Sequence, residues 1–80
     1  MSYENLLQQH LRLTILRLLA EDQNYTMNDS VITDLTPEYG FTPSRDKVRT
    51  ELSWLKEQGL VRYEDDSGII IAELTQRGLD

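Results

Sequence analysis

Apolar residues recur at helical spacing through the first two thirds of the chain and alternate near its end, a pattern that predicts helices followed by a β-hairpin. From Tyr3 to about Ala20 helix formers dominate without Gly or Pro, and Ser2 is placed to cap the amino end. Leu7, Leu11, Ile15, Leu18 and Leu19 form one stripe along this helix, and Leu6, Leu13, Leu16 and Ala20 form a second. Two stripes predict either a central helix packed on both sides or a helix with a dimer face. After the polar break Glu21-Asp22-Gln23-Asn24, Tyr25-Thr26-Met27 reads as a short strand. Asn28 or Asp29 then caps a second helix, about 28–38, that turns Val31, Ile32 and Leu35 inward. Tyr39-Gly40-Phe41 reads as the turn that follows, with Gly40 free to adopt positive φ.

The third helix, about 43–58, is the most sharply delimited. Thr42 can accept a hydrogen bond from the first turn, Pro43 suits the first helical position, and Gly59 can close the helix in the left-handed conformation. Val48, Leu52 and Leu55 share one face. Arg45, Arg49 and Lys56 fall within roughly 40° of one another beside it, with Ser53 just beyond, so a cationic stripe is expected along one exposed edge. Leu60 to Glu64 alternates like a strand, Asp65-Asp66-Ser67-Gly68 is a tight turn, and Ile69 to Leu74 is a β-branched return strand, which gives a hairpin over 60–74. Thr75 can cap a further helical turn before the sequence ends.

Eighty residues bound the architecture to one small α+β domain, residues 1–80, because a chain of this size cannot divide its apolar surface between two cores. Without cysteine there is no disulfide, thiolate metal site or cysteine nucleophile, which suits a reducing cytoplasm. No segment reads as a signal peptide or a membrane span. The formal charge of −6 opposes nucleic-acid binding, since most small binders are basic overall, but between Ser44 and Lys56 four cations stand against two carboxylates. The acidity lies mostly elsewhere.

The order helix, short strand, helix, turn, basic helix, hairpin resembles winged helix-turn-helix regulators of the ArsR and MarR type. Three stretches carry the resemblance: Leu13 to Leu19, Val48 to Val61, and Leu74-Thr75-Gln76-Arg77-Gly78. More narrowly, the chain looks like short winged-helix proteins of Mu-like phages and prophages. The resemblance implies a cytoplasmic transcription regulator whose third helix enters the major groove of duplex DNA. Ser44, Arg45, Lys47 and Arg49 would then face DNA, with Thr50 and Ser53 nearby and Lys56 on phosphate. Arginine suits the acceptor pair of guanine, and lysine suits phosphate. The wing departs from the pattern, because Glu64, Asp65 and Asp66 stand where DNA-binding wings often carry Arg or Lys. One domain reads only a short half-site, so useful specificity calls for either a homodimer or a partner, with the first helix as the candidate interface.

Plainer readings accompany each of these. Arg45, Lys47 and Arg49 can be a solvated helix face paired with Asp46 and Glu51. If they contact DNA instead, Arg45→Ala with Arg49→Ala is expected to abolish DNA retention without lowering the unfolding midpoint, and loss of both would make these arginines structural. Trp54 is either a partner anchor or a semi-core residue packed on the following strand. His10 lacks metal-ligand company, and the acidic turn lacks the calcium-loop pattern, so neither metal nor cofactor is expected, nor a small-molecule ligand. No nucleophile elbow or glycine-rich phosphate loop points to catalysis. The rival to a DNA-binding regulator is a winged helix serving protein–protein interaction, for which the net charge, the acidic wing and the surplus apolar surface of the first helix speak.

Overall fold

The computed structural model describes residues 2–79. Helix α1 (Tyr3–Glu21) leads into strand β1 (Thr26–Asn28), helix α2 (Asp29–Leu35) and a 3-10 turn over Thr36–Tyr39. Helix α3 (Arg45–Glu57), strands β2 (Val61–Asp66) and β3 (Ile69–Leu74), and a last turn, α4 (Gln76–Leu79), follow. The strands form one antiparallel sheet in the order β1-β3-β2, with Met27 opposite Ala72 and Tyr63 opposite Ala72 on the other side. This is the α+β winged-helix arrangement, its wing three-stranded because β1 adds to the hairpin.

Capping side chains set most of the boundaries. Ser2 Oγ accepts the Asn5 amide at 3.1 Å, and Asn28 Oδ1 accepts the Val31 amide at 2.8 Å. Helix α3 starts later than the sequence suggests. Ser44, not Thr42, is its cap, with Oγ accepting the Lys47 amide at 3.1 Å, so Pro43 lies before the helix instead of inside it. A capping residue takes an extended backbone while its side chain reaches an amide of the first turn, and Ser44 does so at φ −72° and ψ 162° with Thr42 and Pro43 outside the helix. Helix α2 is shorter than expected because Pro37 enters a 3-10 turn, which Gly40 closes at φ +88°. Gly59 ends α3 at φ +76°, as its placement predicts.

The core joins Leu11, Ile15, Leu18 and Leu19 of α1 to Ile32, to Val48, Leu52 and Leu55 of α3, and to Val61, Ala72 and Leu74 of the wing. The expected second buried face of α1 is absent from this packing. Leu6, Leu7 and Leu13 are exposed, Leu13 by 62%, and only Leu16 is half-buried. Leu7 therefore leaves the stripe assigned to the core and lines an open groove with Phe41 and Pro43. Val31 is also exposed. Of the three apolar residues expected inward from α2, Ile32 is fully buried and Leu35 half-buried. Trp54 packs half-buried against the core, and the Arg12 guanidinium lies 3.7 Å from its ring centroid.

Candidate nucleic-acid interface

Helix α3 and its cap Ser44 carry all seven residues that the sequence offers to DNA, and the fold gives them different surroundings. Ser44, Lys47 and Thr50 are exposed along the amino-terminal half, although the Ser44 hydroxyl is used in capping and Thr50 Oγ1 donates to the Asp46 carbonyl at 3.0 Å. Ser53 Oγ lies 3.2 Å from Tyr63 Oη, and Lys56 Nζ sits 4.5 Å from the centroid of the same ring. These two residues tie the end of α3 to β2.

Arg45 and Arg49 do not stand free in solvent. Both donate Nε to Asp29 Oδ2, at 3.0 Å and 2.5 Å, and both donate Nη2 to the Gly68 carbonyl at the wing tip. Asp29 is fully buried, whereas the arginine side chains keep 43% and 32% of their surface open. The Gly68 carbonyl reaches this position because Ser67 and Gly68 form a two-residue turn with φ of +54° and +87°, the geometry that closes a right-twisted hairpin. Asp65 Oδ1 accepts the Gly68 amide at 3.1 Å and fixes that turn. The expectation of a purely solvated arginine face is therefore corrected: α3 spans from a buried carboxylate on α2 to the wing through these two side chains.

A second buried carboxylate lies on the other flank of α3. Glu51 is fully buried and accepts Gln8 Nε2 at 2.9 Å, Arg12 Nε at 2.7 Å and Lys47 Nζ at 2.9 Å. Glu51 is one of the two carboxylates between Ser44 and Lys56, and its position along the helix is informative. Residues 48, 51, 52 and 55 share one helical face, so a carboxylate at 51 enters the core and requires donors. Asp29 gives a weaker signal, since an acidic residue after a capping asparagine is common on any helix.

Burial alone would push both carboxyls up. For Asp29, the hydrogen bonds from Arg45 and Arg49 outweigh desolvation and bring it from 3.8 down to about 2; for Glu51, the bonds from Gln8, Arg12 and Lys47 act in the same direction. A folded-state value below the unfolded one contributes stability above the ordinary carboxylate range and loses it as pH falls through the folded value. Asp29 should thus supply about 2 kcal/mol that disappears between roughly pH 4 and pH 2. Denaturant midpoints at steps between pH 5 and pH 2 check this. Wild-type stability should fall across the window, and more steeply than that of Asp29→Asn; parallel curves would assign the acid sensitivity to other groups.

Among the described residues no helix is long and apolar enough to cross a membrane, and no group of three or more His, Asp or Glu side chains is placed to hold a metal ion. His10 is an exposed residue of α1 whose backbone carbonyl accepts Thr14 Oγ1 at 2.8 Å.

No protein-family model matches the chain. It is 48% identical over 80 residues to an uncharacterised protein of Haemophilus influenzae, spanning 99% of this chain and 78% of that protein. It is 42% identical over 76 residues to the uncharacterised protein gp26 of Escherichia phage Mu, spanning 95% and 78%. Among solved structures, that of the hsRosR-S1 complex superposes with a TM-score of 0.72 at 27% identity over 86% of this chain. AbsC, a MarR family transcriptional regulator from Streptomyces coelicolor, does so with a TM-score of 0.67 at 23% identity over 95%. The chain spans 61% and 58% of these two structures. With its helix order and three-stranded wing shared with such regulators, the chain is a winged helix-turn-helix protein and belongs to the family that includes gp26 of phage Mu and its Haemophilus influenzae relative.

Proposed function

We propose that the protein is a cytoplasmic transcription regulator, encoded by a phage or prophage, that binds duplex DNA through α3. The observation that carries this reading is the amino-terminal half of α3, where Ser44, Lys47 and Thr50 are exposed beside the half-open guanidiniums of Arg45 and Arg49. In a winged helix this is the end that enters the major groove. Arg45 and Arg49 are the residues for base acceptors, Lys47 and Lys56 for phosphates, and Ser44, Thr50 and Ser53 for shorter contacts beside them. The fold shared with AbsC and the relative in phage Mu support the same reading. The wing contributes no cations at its tip, so DNA contact rests on α3.

A single α3 reads only a short half-site, and two copies joined through α1 would double it. Tyr3, Leu6, Leu7 and Leu13 supply exposed apolar surface on that helix. Leu6→Glu should dissociate such a dimer into folded monomers; unchanged sedimentation would remove α1 as the interface. The same apolar surface and the acidic wing favour a second reading, a winged helix that binds protein and not DNA.

Selection of random duplex DNA by the purified protein at about 50 and 200 mM salt separates the two, because phosphate contacts weaken as salt rises. An enriched motif that survives the higher salt supports sequence-specific binding. No retention at the lower salt supports the protein-interaction reading.

A further inference from the structure

The elements that frame the α3 surface converge on one side chain that is not part of that surface. Asp29, the first residue of α2, accepts Arg45 and Arg49 from α3 and the Ile70 amide from β3, the last at 3.3 Å. The two arginines in turn reach the Gly68 carbonyl at the wing tip. We propose that Asp29 is a positioning residue for DNA recognition, fixing the Arg45 and Arg49 guanidiniums in one orientation and holding the wing against α3. The assignment rests on the DNA-binding reading above.

Two physical consequences follow from this arrangement. An unanchored arginine samples many rotamers and must be ordered before it can read a base edge, whereas one already held through Nε presents its remaining donors as a fixed fork. The buried carboxylate also offsets part of the charge. Asp46 and Asp65 act electrostatically on Arg49 as well, so two guanidiniums face three nearby carboxylates. Arginines held in this way are poor collectors of phosphate and depend on geometry for affinity, which is compatible with a chain whose formal charge is −6.

Asp29→Asn removes the charge and keeps an acceptor for Ile70. It should raise affinity for random duplex and steepen its salt dependence by about one phosphate, while the ratio of selected to random affinity falls at least about tenfold. A merely structural role would weaken both affinities together and leave the ratio unchanged. The measurement is fluorescence anisotropy with the duplex enriched from the random pool and a scrambled duplex of equal composition, across about 50 to 200 mM salt. Circular dichroism at the assay temperature confirms that the variant is folded. Should Asp29→Asn be unfolded there, Asp29→Glu carries the test: with the charge kept and the arm one methylene longer, discrimination falls and the salt slope stays.

The wild-type protein supplies a reading that needs no variant. The Nε–H resonances of Arg45 and Arg49 should be resolved, slow to exchange, and retained when the selected duplex is added; resonances averaged with those of exposed Arg17 would overturn the assignment. Retained discrimination in a folded Asp29 variant also overturns it and leaves the DNA-binding reading standing. Wild-type protein without affinity for any duplex removes both.

Discussion

Arg45→Ala combined with Arg49→Ala should lower the unfolding midpoint by about 10–25 °C. The two side chains look expendable from sequence, as cations on a hydrophilic helix edge. In the fold they are the ion-pair partners of a carboxylate with no solvent exposure, and removing both leaves Asp29 with only the Ser30 and Ile70 amides, at 3.0 Å and 3.3 Å. Stripping the partners from a buried charge costs about 3–5 kcal/mol, and in a domain of this size each kcal/mol moves the midpoint by about 4–8 °C. The partly exposed arginines argue for the lower half of that range, since solvent already screens their side of the pair. Adding Asp29→Asn to the double variant removes the stranded charge and should recover a substantial part of the loss. Thermal melts of the wild type, double and triple variants make the comparison. Equal midpoints for wild type and double variant would show that Asp29 reaches water without its arginines. Failure of the double variant to bind DNA would report unfolding as much as lost contact, so Arg49→Lys, which keeps the charge, isolates the contact more cleanly.

The parts of the fold that are legible from sequence depend on local rules. Ser2 and Asn28 cap because a short polar side chain sits just before a helical run, Gly40 and Gly59 end elements because they tolerate positive φ, and Val48, Leu52 and Leu55 recur on one helical face. Ambiguity begins where two residues satisfy the same rule. Thr42 and Ser44 both qualify as caps, each a small hydroxyl just ahead of the helical run, and the backbone turns helical only after Ser44. Leu6, Leu7 and Leu13 show a different limit, since periodicity identifies an apolar stripe without revealing whether another element covers it.

The surroundings of the predicted interface are hidden for a further reason. Asp29 lies 16 and 20 residues from its arginines, and Glu51 lies 39 and 43 residues from Arg12 and Gln8. No local pattern encodes those pairings. They arise when α2 and the wing pack on one flank of α3 and α1 on the other, each bringing or receiving a charge. The sequence therefore shows which side chains α3 carries and the i,i+4 pair of Lys47 with Glu51, while the tertiary packing buries that carboxylate and holds Arg45 and Arg49 to Asp29.

The same logic applied to the opposite flank predicts that Glu51→Ala lowers the midpoint by about 10–20 °C, from the loss of roughly 2–4 kcal/mol. Its three donors do not contribute equally. Lys47 keeps 45% of its side chain in solvent and regains hydration when the carboxylate is removed, so its share is at most about 1 kcal/mol. Arg12 keeps only 19% and is sandwiched between Glu51 and the Trp54 ring, so its guanidinium would be left with cation–π contact but no counter-charge. Most of the cost therefore belongs to Arg12 and to the small cavity left in the core. A double-mutant cycle apportions it: Arg12→Leu in the Glu51→Ala background should cost less than Arg12→Leu alone by about 1–2 kcal/mol, because neither variant then strands a buried charge. Additive losses would mean that Glu51 acts through packing alone. Lys47, released from Glu51 with its side chain already half in water, would gain mobility beside the Ser44 cap, so weaker DNA selection by folded Glu51→Ala would link the core carboxylate to the proposed interface.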